Sequence, residues 1–93
     1  MGFYNTVIGN QSLLSNIIGS NNTTLGYQTL YINNGNNNTA IGYQAGLNDK
    51  FGSNNIYIGY KSDCLNNGFN NSIAIGTNTT ITADNQIIIG NND

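Results

Sequence analysis

The chain lacks proline, tryptophan and histidine, and only 6% of its 93 residues are charged. Its single cysteine, Cys64, excludes a framework of internal disulfides. Two basic residues, Lys50 and Lys61, and a net charge of −2 provide no electrostatic footprint for DNA or RNA. No apolar run approaches the roughly 18 residues that cross a bilayer, so we expect no membrane insertion.

Catalysis has no candidate residues in this composition. There is no histidine, no carboxylate pair that recurs at one register, and no partner that could activate Cys64 as a nucleophile. The acidic residues never share a repeat position, which argues against repeated calcium sites. We therefore predict that the chain is not an enzyme and has no catalytic, cofactor-binding or metal-binding residues.

The chain contains a short sequence motif that occurs six times, in its most regular form Asn-Asn-(Thr/Ile)-x-Ile-Gly. The motif ends at Gly9, Gly26, Gly42, Gly59, Gly76 and Gly90. The intervals of 17, 16, 17, 17 and 14 residues are too short for a helical repeat or a propeller blade, and they fit one turn of a β-solenoid. We predict an all-β fold, with residues 1–93 forming one parallel β-solenoid domain of about 14–17 residues per coil, a segment of a longer fibre protein.

Each repeated strand has apolar side chains at two adjacent positions. The residue before the glycine is always a large aliphatic, and we predict that it forms the coil core: Ile8, Leu25, Ile41, Ile58, Ile75 and Ile89. Because strand side chains alternate between faces, the residue two before the glycine must then point outward. That position is also mostly apolar, which predicts an oligomer interface at Val7, Ala40, Tyr57, Ala74 and Ile88.

A second alternation follows each strand glycine. A small residue comes three positions on, and a larger one comes five positions on; we predict that both point inward. The small residues are Ser12, Thr29, Ala45, Ser62 and Thr79, and the larger are Leu14, Tyr31, Leu47, Cys64 and Ile81. Cys64 is in register with aliphatic residues, so we interpret it as a small buried hydrophobe and not as a reactive thiol.

A second set of glycines marks the return corner of each coil: Gly19, Gly35, Gly52 and Gly68. We expect them to adopt positive φ. Their spacing makes Ile17-Ile18-Gly19 a corner and not a seventh strand. Asparagine makes up 21 of the 93 residues, and pairs of it follow these corners, so stacked coils should form ladders of side-chain amides.

The repeats resemble two known families. Asn71–Gly76, with the 14-residue step to Gly90, resembles the head repeats of YadA-type trimeric autotransporter adhesins. Asn38–Gly46 is similar to repeats of phage and viral tail-fibre proteins, and the resemblance extends from Asn5 to Asn92. It implies a left-handed parallel β-roll in an intertwined or side-by-side homotrimer; the residues themselves determine neither the handedness nor whether two or three chains associate. Adhesin heads are alanine-rich with 14-residue coils, whereas this chain is asparagine-rich with mostly longer coils, which favours a viral fibre.

One exposed stripe could bind a ligand. Tyr27, Tyr43 and Tyr60 each follow a strand glycine and should stack, with Gln28 and Gln44 beside them. Such stacking can simply stabilise the coils, or the stripe can bind a sugar or a protein. Asp49 and Lys50, like Lys61 and Asp63, are expected to be solvated surface charges.

These features predict a structural and host-attachment module of a trimeric viral or phage fibre, located on the virion surface or outside the cell. Its partners would be copies of itself and a host-surface glycan or protein. One alternative is the head of a bacterial trimeric adhesin. Weaker alternatives are a solenoid that self-assembles end to end and an ice-binding solenoid, whose Thr-x-Thr arrays occur here only within residues 77–82.

Overall fold

Eight short strands stack into a parallel β-solenoid in the computed structural model, which describes residues 2–66 and 68–91. Six of them form one parallel sheet in the order β1-β2-β3-β4-β6-β8, and β5 pairs with β7 in a second, two-stranded sheet. The strands are β1 (Thr6–Ile8), β2 (Thr23–Leu25), β3 (Thr39–Ile41), β4 (Ile56–Ile58), β5 (Asp63–Cys64), β6 (Ile73–Ile75), β7 (Thr80–Ile81) and β8 (Ile87–Ile89). The described residues contain no helix, so the predicted all-β solenoid is confirmed.

The register of the large sheet follows the glycine spacing. Residues that precede successive strand glycines are direct partners, so Ile8 pairs with Leu25 and Leu25 pairs with Ile41. The same register continues to Ile89 in the last strand. Residues 17–19 form no strand, which confirms that Ile17-Ile18-Gly19 is a corner.

The two faces of the repeated strand are the reverse of the prediction. Thr24, Ala40, Tyr57 and Ala74 are at most 1% exposed and form the interior of the coil. The column ends in Val7 and Ile88, and Val7 is 42% exposed because β1 is an edge strand of the sheet. The predicted oligomer interface (Val7, Ala40, Tyr57, Ala74 and Ile88) therefore belongs to the core column.

The predicted core column lies on the outside: Ile8, Leu25, Ile41, Ile58, Ile75 and Ile89. Ile8 is 60% exposed and Ile41 is 37% exposed. The physical reason is the thinness of the coil, since the shortest principal extent of the molecule is 16 Å. A cross-section this narrow accepts threonine and alanine at most rungs, and the six large aliphatic side chains are left on the outer surface.

Tyr57 is larger than Thr24, Ala40 and Ala74, the other buried residues of its column, and a glycine makes room for it. A Cβ on Gly46 would lie 3.0 Å from Cδ2 of Tyr57 and 2.7 Å from Cδ2 of Leu30. Gly46 has a φ of +68°, a conformation that glycine adopts at little cost. One large aromatic ring is thus accommodated by the absence of a side chain at a single position.

The second segment of each coil confirms the small inward residues and corrects the larger ones. Ser12, Thr29, Ala45, Ser62 and Thr79 are all buried, and so are Cys64 and Ile81. Leu14 is exposed, however, and Tyr31 and Leu47 are half-buried. In these first coils the residue four after the glycine has a positive φ, and this turn directs Leu13 and Leu30 inward in place of the residues that follow them.

Polar side chains, mostly amides, form a continuous ladder inside the stack. Its members lie four residues before the strand glycines, and we call it the inner ladder: Asn5, Asn22, Asn38, Asn55, Ser72 and Gln86. The N–H of Asn38 donates to Oδ1 of Asn22 at 2.9 Å, and the N–H of Asn55 donates to Oδ1 of Asn38 at 2.8 Å. Nδ2 of Asn38 crosses the coil to the carbonyl of Gly52 at 2.8 Å. The predicted amide ladders are confirmed, because each asparagine of the inner ladder accepts a backbone N–H from the next coil.

The glycines of the return corner are required for a different reason from the one predicted. The strand glycines have positive φ, as at Gly42 with +122°, whereas Gly19, Gly35 and Gly52 do not. Gly35 is required because a Cβ there would lie 1.9 Å from the carbonyl oxygen of Gly52 in the next coil. Close stacking of corners, and not backbone conformation, excludes a side chain at this position.

Candidate functional site

The outer face of the six-stranded sheet is an uncharged surface that extends over all six strands. Its twelve side chains form two columns, which we call the outer sheet face. One column is Ile8, Leu25, Ile41, Ile58, Ile75 and Ile89, and the other is Thr6, Thr23, Thr39, Ile56, Ile73 and Ile87. A continuous apolar surface of this kind marks a site of protein contact more often than a solvated face.

The outer sheet face becomes more apolar toward the C-terminal strands. The first three strands carry threonine beside the aliphatic column, and the last three carry isoleucine there. Ile87 and Ile89 in β8 are 68% and 73% exposed. The outward face of these strands is therefore the one opposite to the face at which the sequence predicted an interface.

The three tyrosines stack as predicted. The ring centroids of Tyr27 and Tyr43 are 5.6 Å apart with an interplanar angle of 17°, and those of Tyr43 and Tyr60 are 5.3 Å apart at 13°. Beside them, Nε2 of Gln44 donates to Oε1 of Gln28 at 2.8 Å. Because the ring faces are turned toward one another, the ladder presents mainly edges and hydroxyls to solvent. This geometry favours cross-rung stabilisation over sugar stacking along the length of the ladder.

Asp49 is a buried carboxylate, which corrects the prediction that it is a solvated charge. It is fully buried, and the hydroxyl of Tyr57 donates to its Oδ2 at 2.7 Å. Nδ2 of Asn55 donates to the same oxygen at 3.0 Å, and the N–H of Gly52 donates to Oδ1 at 2.7 Å. Burial raises the pKa of Asp49 in spite of these three donors, and burial with the nearby Asp49 charge raises the pKa of Tyr57.

Asp49 occupies a position of the repeat that asparagine occupies in the neighbouring coils. Asp49 lies seven residues after a strand glycine, as do Asn16 and Asn33 in the preceding coils. Asn33 is also fully buried, and its Oδ1 accepts the N–H of Gly35 at 2.8 Å, as Oδ1 of Asp49 accepts that of Gly52. Asn33 and Asp49 therefore hold the return corner from inside, whereas Asn66 at the same position of the next coil is exposed. The position in the repeat alone does not determine burial.

The thiol of Cys64 is buried, as predicted. The side chain is 5% exposed, and burial, reinforced by the Asp49 and Asp63 charges, raises its pKa to about 12. A thiol with this pKa remains protonated at neutral pH and is a poor nucleophile. Cys64 therefore acts as a small packing residue in β5.

The carboxyl groups of Asp49, which is buried, and Asp63, which is half-buried, predict a stability that falls as pH rises. Burial raises the pKa of Asp49 and of Asp63 above the ordinary value of 3.8 in the folded chain. The folded chain therefore holds these protons more firmly than the unfolded chain. This contribution to stability is complete below the unfolded pKa and is lost as pH rises through the higher folded pKa values.

We expect urea unfolding to give a larger free energy of unfolding at pH 4 than at pH 8. Asp49→Asn, which places at position 49 the residue type found at Asn33, should make the pH dependence shallower. A free energy of unfolding that increases from pH 4 to pH 8 would contradict the assignment.

Over residues 2–66 and 68–91, no three side chains of histidine, cysteine, aspartate or glutamate come together in a group that could hold a metal ion. The same residues include no helix of the length and apolar character needed to span a membrane. Comparison with protein-family models, with curated proteins and with solved structures finds no match for this chain. Functional inference therefore depends on the geometry of the solenoid and its surfaces.

Proposed function

We propose that the chain is a structural module of a homotrimeric fibre in which three solenoids pack through their outer sheet faces. The observation that supports this proposal is a continuous uncharged face that runs over all six strands of the sheet. A solitary rod of 93 residues buries a small fraction of its surface and is only marginally stable. Covering the outer sheet face would add apolar burial worth roughly 25 cal/mol per Å².

The repeat itself makes this face self-complementary. Every strand presents the same two outward positions, and successive strands are separated by about 4.8 Å. A second copy with the same rise therefore meets equivalent side chains at each rung, so that aliphatic residues face one another along the whole contact. Three copies around one axis would remove all of their outer sheet faces from water.

The proposed module acts mechanically. Hydrogen-bonded rungs and the inner ladder make the rod stiff, and the polar sides that remain outside the trimer can face a host-surface glycan or protein. A viral or phage fibre, on the virion surface or extracellular, is the context that we propose; a bacterial adhesin head would use the same geometry. An ice-binding surface would need outward threonine on every strand. Thr6, Thr23 and Thr39 supply it on three strands, and the next three strands have isoleucine at the same position.

The test is the mass of the protein in solution. Light scattering on a sizing column should give three times 9.9 kDa for a β-rich species. Ile41→Lys places a charge in the middle of the outer sheet face and should abolish the trimer. Leu14→Lys makes the same kind of change at a residue that is 57% exposed and lies outside the sheet, and it should keep the trimer.

A well-folded β-rich wild-type monomer would refute the proposal, and so would loss of assembly in Leu14→Lys equal to that in Ile41→Lys. A wild-type monomer should then be examined for freezing hysteresis, because a solvated outer sheet face would be the candidate ice-binding surface.

A further inference from the structure

A groove of about 470 Å³ opens on the side of the coil that follows the strand glycines. Its main lining residues are Gln44, Leu47, Asn48, Lys61, Leu65 and Asn78. The groove lies between two coils whose backbones differ after the strand glycine. The first coil has a turn there that contains Gly46, which has a positive φ, and the next coil has strand β5 instead. The volume is within the range of about 300–1,000 Å³ that is usual for small-molecule sites.

The groove interrupts a ladder of amide side chains. Nε2 of Gln28 donates to Oε1 of Gln11 at 2.7 Å, and Nε2 of Gln44 donates to Oε1 of Gln28. The next residue in this column is Lys61, which is followed by Asn78. Oε1 of Gln44 and the side-chain amide of Asn78 consequently have no hydrogen-bond partner among the described residues, and both line the groove.

Lys61 brings a positive charge that no described residue neutralises. Its ammonium makes neither a hydrogen bond nor an ion pair within the described chain, and it lies 5.4 Å from the ring centroid of Tyr60. Asp63 also lines the groove, but its carboxylate accepts the N–H of Asn48 at 3.1 Å and Nδ2 of Asn48 at 2.8 Å. These hydrogen bonds hold the carboxylate of Asp63 against Asn48, and no ion pair joins it to Lys61 among the described residues, so the ammonium is available to an external anion.

We propose that this groove binds a carboxylated sugar, with Lys61 contacting the carboxylate. Gln44, Asn78 and the hydroxyl of Thr80 would then hydrogen-bond to sugar hydroxyls. The apolar C–H face of the ring would pack on Leu47 and Leu65, which line the groove with them. A ligand with both a carboxylate and several hydroxyls can form an ion pair with the lysine and hydrogen bonds with the amides at the same time.

This inference deepens the proposed function, because it names a ligand class for a side of the fibre module that the trimer leaves outside. The groove is formed by residues that follow the strand glycines, whereas the outer sheet face is formed by residues that precede them. Sugar binding and trimer formation therefore use different surfaces and can fail separately.

The experiment is a titration followed by saturation-transfer NMR, with methyl glucuronide as the probe and methyl glucoside as the neutral analogue. The wild-type chain should bind the glucuronide, and Lys61→Ala should weaken binding by about tenfold or more. Lys61→Arg should retain most of the affinity. Lys50→Ala is the matched control, because it removes the other basic charge, whose ammonium lies 5.3 Å from the ring of Phe51 and not in the groove.

Equal weakening by Lys50→Ala, equal binding of the neutral glucoside, or no saturation transfer to the glucuronide in the wild type would overturn the proposal. The mass of each sample should be measured in parallel. A trimer that binds no glucuronide refutes only the proposal that the groove binds a carboxylated sugar. A monomer that binds the glucuronide through Lys61 refutes only the proposal that the chain forms a trimeric fibre.

Discussion

Gly35→Ala is expected to disrupt the coil stack, whereas Gly68→Ala is expected to leave it folded. A Cβ at position 35 would lie 1.9 Å from the carbonyl oxygen of Gly52 and 2.9 Å from Oγ of Ser53. The oxygen of Gly52 cannot move freely, because it accepts Nδ2 of Asn38 at 2.8 Å in the inner ladder. The added methyl group must therefore separate two coils, at a cost of about 3 kcal/mol or more.

Gly68 provides a control that shares the residue type and the return-corner position. Apart from its neighbours in the chain, a Cβ at Gly68 would meet no described heavy atom within 4 Å. Urea unfolding followed by far-ultraviolet circular dichroism would compare the two variants with the wild type. Equal unfolding midpoints for Gly35→Ala and the wild type would show that the coils do not approach as closely as the structure indicates.

Asn38→Ala is expected to lower the free energy of unfolding by about 2–4 kcal/mol, since it removes three buried hydrogen bonds. Oδ1 of Asn38 accepts the N–H of Asn55, and its Nδ2 donates to the carbonyl of Gly52 and to Oδ1 of Asn33 at 3.2 Å. Asn38 is 1% exposed, so water cannot easily replace the lost partners. The N–H of Asn55 would be left buried without an acceptor.

Asn5→Ala tests the same ladder at its exposed end. Oδ1 of Asn5 accepts the N–H of Asn22 at 2.9 Å, which is the same type of bond as in the middle of the stack. Asn5 is only half-buried, so solvent can satisfy the donor after substitution, and the loss should be smaller. Denaturant midpoints of both variants would measure the difference. A loss for Asn5→Ala as large as that for Asn38→Ala would refute the role of burial.

The spacing of glycine and asparagine predicted the stacking of the coils correctly. Gly26 and Gly42 lie at equivalent places on successive turns, and their strands pair in the expected register because a solenoid rung is one repeat long. The same alignment predicted the stacking of Tyr43 on Tyr60 and the burial of Cys64. These features depend on which residues occupy equivalent positions in successive coils, and the repeat period alone determines those positions.

Only the tertiary structure decided which side of each strand is inside. In β3, Ala40 and Ile41 are both apolar, and side chains at adjacent positions of a strand point to opposite faces, so alternation alone could not choose between them. The narrow cross-section and the inner ladder leave room for Ala40, and Ile41 is turned outward. The burial of Asp49 had the same origin, because its partner Tyr57 lies in the next rung and the contact forms only when the coil closes. The repeat thus determined which residues stack upon one another, while the space inside the closed coil determined which of them are removed from water.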